Sequence, residues 1–198
     1  MNASLLLVVL AAVGRSVGLP ETQKAVFAGG CFWGVDAVFR HVQGVVGVVS
    51  GYAGGSAGTA EYDMVSTGTT GHAEAVEVTF DPQQISYGKL LEIFFTVAHD
   101  PTQLNRQGPD VGTQYRSAIF HADEAQRQTA QGFIERLTRA NTFAAPIVTA
   151  VVPLETFYPA EAYHQDYLAH HLTQPYIVYN DLPKLERLKD RFPALYRP

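Results

Sequence analysis

Cysteine is almost absent. Cys31 is the only one in 198 residues, so no disulfide can form within the chain. Basic charge is short as well: 14 Lys plus Arg stand against 19 Asp plus Glu, a formal net charge of −5. That leaves no positive field to gather phosphate backbones, and nucleic acid is set aside as a partner. Charged residues make up only 17% of the chain while 46% are hydrophobic, the reverse of the balance that keeps a chain disordered. Long apolar runs are missing too. The longest at the start, residues 5–13 (LLLVVLAAV), falls well short of the ~20 residues that a bilayer requires.

That run fits the apolar region of a secretory signal, with Ser16 and Gly18 as small residues before a cut ahead of Leu19. Its only preceding positive charge is the amino terminus; an N-terminal core strand or helix is the alternative. The expectation is a cleaved signal over 1–18 and a single domain over 19–198, exported if the cut occurs and cytoplasmic otherwise. No membrane attachment is expected of the mature form.

Periodicity then gives the organisation. Residues 25–28 read as an apolar strand stopped by Gly29-Gly30, and Val35, Val38, Phe39 and Val42 recur at helical spacing after Phe32. Residues 45–49 are β-branched, and a glycine-rich loop, mobile or needing positive φ, covers 51–58. Residues 72–80 alternate, so Glu74 shares a strand face with Val76, Val78 and Phe80. Ser86 caps a helix, residues 100–114 form a long polar loop, and 115–121 alternate again. Asp123 with Gln126 opens a helix to about Arg139; 147–152 read as a strand, 160–172 as a helix and 182–192 as a short surface helix. The order β-α-β, β-α-β, then additions implies an α+β sandwich. Its expected core is a ferredoxin-like split β-α-β unit in a mixed sheet, helices on one face, with additional helices and loops.

A lone cysteine is more often a small buried hydrophobe than a nucleophile. Three neighbours argue otherwise. Cys31 precedes the first helical turn, whose free N–H groups and dipole lower a thiol's pKa. Gly29-Gly30 permits close backbone approach. Phe32 and the chain's single Trp, Trp33, follow at a turn expected near the surface, where an aromatic pair wants an apolar partner. Glu74, turned toward apolar residues, is expected to keep its proton and act as an acid. Bending out to solvent or pairing with Arg116 is its bland alternative. Tyr62 and Tyr115 are core tyrosines unless something brings them to Cys31. His72-Ala73-Glu74 lacks the second cysteine pair of a zinc deaminase, and no metal is assigned.

The motifs Gly30-Cys31-Phe32-Trp33-Gly34, Gly51-Tyr52-Ala53-Gly54-Gly55 and Gly71-His72-Ala73-Glu74-Ala75-Val76 appear in order. His99-Asp100-Pro101, Gly112-Thr113-Gln114-Tyr115-Arg116-Ser117 and Ala160-Glu161-Ala162-Tyr163-His164-Gln165 follow. Together they resemble the peptide methionine sulfoxide reductases of the A type over about residues 24–192. The resemblance implies that Cys31 is the nucleophile and that Phe32 and Trp33 cradle the substrate methyl. It further implies that Glu74, Tyr62 and Tyr115 bond the sulfoxide oxygen, with Asp110 in support. The implied reaction turns methionine S-sulfoxide, free or in oxidised proteins, into methionine and leaves Cys31 as a sulfenic acid. With no second cysteine, the implied reductant is an external thiol: thioredoxin, glutaredoxin or a small thiol. A monomer is expected, with no bound cofactor. Two rivals stay open, a cysteine hydrolase using His72 or His164 as base and a non-catalytic redox sensor.

Overall fold

Strand β1 (Gln23–Gly29) is buried on both faces from Ala25 onward, which is why it reads as an unbroken apolar run. The computed structural model describes residues 21–198; the expected signal at 1–18 lies outside the described residues. After β1 come α1 (Phe32–Arg40), β2 (Val45–Ala53), a short α2 (Tyr62–Val65) and β3 (Ala73–Phe80). Next are α3 (Tyr87–Ile93), which runs on into a wider turn over Phe94–Ala98, and the small hairpin β4 (Arg106–Gln107) and β5 (Asp110–Val111). The chain ends with β6 (Ser117–His121), α4 (Glu124–Arg139), β7 (Ala150–Pro153), β8 (Phe157–Pro159), α5 (Tyr167–His170) and α6 (Leu182–Arg191).

Six strands form one sheet in the order β7-β6-β1-β3-β2-β8. All neighbours run antiparallel except β6 and β7, so the α+β fold has a mixed sheet as expected. Register sorts the side chains. Phe27 lies opposite Val76 on one side and Ile119 on the other, and all three enter the helix-covered core. Val26 opposite Phe120 belongs to a smaller layer of Ala28, Ala53, Ala73, Ala75 and Ala118 on the reverse face. Phe27 stacks between Phe39 of α1 and Phe94 at centroid distances of 5.2 and 5.0 Å. Burying such a ring contributes roughly 1.5–3 kcal/mol.

The expected caps form. Ser86 Oγ accepts from Lys89 N, and Asp123 Oδ1 accepts from Gln126 N while Gln126 Oε1 takes the N–H of Ala122. Three expectations are corrected. The glycine-rich segment is not a loop throughout, because β2 continues through Ala53, paired with β3 and β8. Residues 160–172 are not one helix. Gln165 spends its side chain on Ser50 N, Ser50 O and Ala160 O, and Asp166 takes φ +51, so only a tight turn at Ala162–His164 and α5 remain. Helix α6 is not merely superficial, since Lys184, Leu185 and Leu188 are buried.

Candidate active site

The junction of β1 and α1 places Cys31 at the N-cap of the helix. Gly30 there adopts φ +93, and a Cβ on it would lie 2.5 Å from Gln107 Cγ. Glycine is therefore required both by the left-handed backbone and by the closeness of the β4–β5 hairpin. Gln107 in turn bonds the backbone N–H and carbonyl of Asp100, which fixes the hairpin that carries Asp110. Arg116 donates to the carbonyls of Gly71 and His72, just before β3. It is not the partner of Glu74.

Glu74 is 2% exposed. Its Oε2 accepts the backbone N–H of Phe32 at 3.0 Å, one residue from the cysteine. A cavity of about 200 Å³ is lined by Cys31, Phe32, Trp33, Tyr62, Glu74, Asp110, Tyr115 and Tyr176. All seven residues singled out in the sequence thus meet in one place. Tyr176 is the addition: its hydroxyl donates to Asp110 Oδ2, and its ring meets the edge of Trp33. It comes from the C-terminal tail, 66 positions beyond Asp110, and no local pattern around Pro175-Tyr176 marks it.

Burial governs the charge states. It pushes the Glu74 carboxyl up to about 8, with Asp110 adding to the rise and the Phe32 N–H opposing it. Because Oε2 is the acceptor, the retained proton belongs on Oε1. Burial, then Glu74, raises the phenols of Tyr62 and Tyr115, so both remain O–H donors. Burial raises Asp110 too, against the Tyr176 hydroxyl and Lys184.

Two expectations about the nucleophile are corrected. Cys31 is not acidified at rest: burial drives its pKa well above the ordinary thiol value, with Glu74 and Asp181 adding to the rise. The Trp33 N–H at the helix start and Lys184 do pull it down, but burial wins. The resting group is a thiol. Phe32, moreover, is not a surface aromatic; at 1% exposed it packs on Tyr52 and His164, and only Trp33 is partly open. Neither candidate base of a hydrolase serves Cys31. His72 accepts from Gly55 N and bonds the Ser56 carbonyl, locking the loop after β2, while His164 accepts from the Trp33 indole.

A family model described as peptide methionine sulfoxide reductase matches residues 23–195. The chain belongs to that family. It is 59% identical over 177 residues to peptide methionine sulfoxide reductase MsrA 2 of Mesorhizobium japonicum, covering 89% of this chain and 91% of the relative. It is 49% identical over 180 residues to MsrA of Thermus thermophilus, covering 91% of this chain and 100% of that one. Among solved structures it resembles methionine sulfoxide reductase A of Corynebacterium diphtheriae, with TM-score 0.69, 36% identity and coverage of 83% and 82%. Reduced Mxr1 of Saccharomyces cerevisiae gives TM-score 0.71 at 33% identity, covering 77% of this chain and 87% of Mxr1. Mxr1 is also solved in complex with Trx2, a likeness of fold at 24% identity. The activity of the chain is that of a peptide-methionine (S)-S-oxide reductase, which closes the hydrolase and sensor alternatives.

Proposed function

We propose that Cys31 reduces methionine S-sulfoxide with Glu74 as the acid and an external thiol as the final reductant. The observation that carries this reading is the shared cavity in which a protonated, buried carboxyl is tied to the backbone one residue from the only sulfur nucleophile. The sulfoxide oxygen is basic and its sulfur electrophilic. Tyr62 and Tyr115 donate hydrogen bonds to the oxygen, and Glu74 Oε1 transfers its proton there. Cys31 Sγ attacks the sulfur as its own proton passes to the Glu74 carboxylate, so the acid is restored in the same event. The hydroxyl then moves to Sγ as the Sγ–S bond breaks. The substrate sulfur gains two electrons and Cys31 loses two, giving methionine and a Cys31 sulfenic acid. Phe32 and Trp33 form the methyl side of the cavity.

One thiol displaces water from the sulfenic acid to give a mixed disulfide, and a second releases the disulfide and regenerates the Cys31 thiol. A thioredoxin-type protein fits this role, as does glutaredoxin or a small thiol, because the 198 residues hold no resolving cysteine. The same reading makes the chain a one-cysteine repair enzyme for oxidised proteins and free methionine sulfoxide. It acts as a monomer over 19–198, exported after removal of 1–18. The four central strands β6-β1-β3-β2, with α1 and α3 between their halves, form its ferredoxin-like unit. Turnover of each sulfoxide epimer with dithiothreitol tests the chemistry. Cys31→Ser is expected to lose all turnover while keeping its melting transition, and retained activity overturns the assignment. N-terminal sequencing of the mature protein tests the cut.

A further inference from the structure

The segment 160–165 lies outside the cavity yet holds two of its walls. Glu161 Oε1 accepts the backbone N–H of Tyr62 and Oε2 accepts the Tyr52 hydroxyl, each at 2.8 Å. Three residues on, His164 is 2% exposed, and its Nδ1 accepts the indole N–H of Trp33 at 3.1 Å. A ring nitrogen that accepts carries no proton, so His164 is the neutral tautomer with its hydrogen on Nε2. That Nε2 is buried with no hydrogen-bond partner among the described residues; Glu161 Oε2, at 3.9 Å, is out of reach. Among the described residues, the ring's one hydrogen bond is to Trp33.

The remaining contacts of the indole are apolar. One face stacks on Tyr167 at 3.8 Å and an edge meets Tyr176 at 6.0 Å. Stacking leaves the ring free to slide and turn in its plane, whereas a single hydrogen bond at Nε1 fixes that freedom. We propose that His164 is a positioning residue that sets the orientation of Trp33, and with it the width of the methyl end of the cavity. It touches no reacting atom. The inference rests on the reading of Trp33 as the wall that receives the substrate methyl.

Because Trp33 is the only Trp in the chain, its fluorescence reports this contact without interference. The test compares His164→Phe, which keeps ring volume but loses the acceptor, with His164→Asn, whose Oδ1 takes the place of Nδ1 and can still receive the indole N–H. Methionine sulfoxide and ethionine sulfoxide serve as substrates with dithiothreitol as reductant. In His164→Phe, kcat/KM for the methyl compound is expected to fall about tenfold and that for the ethyl compound much less, because a loosened wall tolerates the larger group. Trp33 emission should shift in His164→Phe, and both readouts should return toward the parent in His164→Asn. Parallel losses on both substrates, unshifted emission, or equal damage in both variants would overturn the proposal. If His164→Phe does not fold, His164→Leu, which has no acceptor, takes its place in the same comparison. Trp33→Ala separates the two layers of the reading. An unchanged methyl-to-ethyl preference there removes the methyl-wall reading itself, while a changed preference there with none in His164→Phe removes only the positioning role.

Discussion

At the residue scale the site is a contest between burial and hydrogen bonding, and burial prevails at both reacting groups. Glu74 keeps its proton up to about pH 8. The acid form exists below that value, so kcat/KM for the sulfoxide is expected to fall as pH rises through 8. In Glu74→Gln the rate should drop about 10²–10³-fold, and what remains should lose that alkaline decline. Rate–pH profiles of both proteins check this; an alkaline limb that persists in Glu74→Gln would assign it to another group. The side of the sheet on which Glu74 lies was legible in the sequence, because strict alternation with Val76, Val78 and Phe80 leaves one answer. The state of Cys31 was not. A helix start is visible in a sequence, but the depth of the sulfur and the presence of Asp181 and Lys184, 150 or more positions away, are products of tertiary packing.

At the scale of elements, the β1–α1 junction is the part that tolerates least. Gly30→Ala forces an alanine into φ +93 and a Cβ against Gln107. It is expected to cost about 1–3 kcal/mol and to reduce turnover by displacing the hairpin that carries Asp110. Gly58, with open space around its Cβ position and no left-handed φ, is the matched control. Thermal melts of Gly58→Ala and the parent should agree within about 0.5 kcal/mol, and an equal loss in the two alanine variants would refute the junction argument. Elements with local signals were readable: the caps at Ser86 and Asp123, the period of α1, the alternation of β3. The segment 160–172 misled because its polar residues look like the outer face of a helix. Glu161, His164 and Gln165 instead reach across to Tyr62, Trp33 and Ser50, and those distant bonds override the local period.

For the whole molecule, the buried groups tie stability to pH. A carboxyl whose folded pKa exceeds its unfolded value binds more protons when folded, so stability falls as pH rises between the two. For Glu74 that interval runs from about 4.5 to about 8. Asp36 acts in the same direction but has finished by about 6. His99, lowered to about 4 by burial, does the opposite: its contribution is complete above 6.5 and is lost as pH falls toward 4. From pH 6.5 to 8 Glu74 alone among these is titrating, and the parent is expected to lose on the order of 2 kcal/mol across that window. Denaturant melts should show this loss in the parent and a flat profile in Glu74→Gln; an equal decline in both would place the titrating group elsewhere. The architecture itself was within reach of periodicity, since two successive β-α-β runs admit few sheets. The strand at β7 was readable over 147–152, but its parallel pairing with β6 and the paired hairpin inside the long polar loop were not, for neither has a distinctive pattern. The most direct measurement is a single turnover with excess methionine S-sulfoxide and no reductant, read by mass spectrometry. One methionine per chain and one added oxygen on Cys31 is the expected result. Methionine formed with Cys31 unmodified, or Cys31 oxidised with no methionine formed, would contradict it.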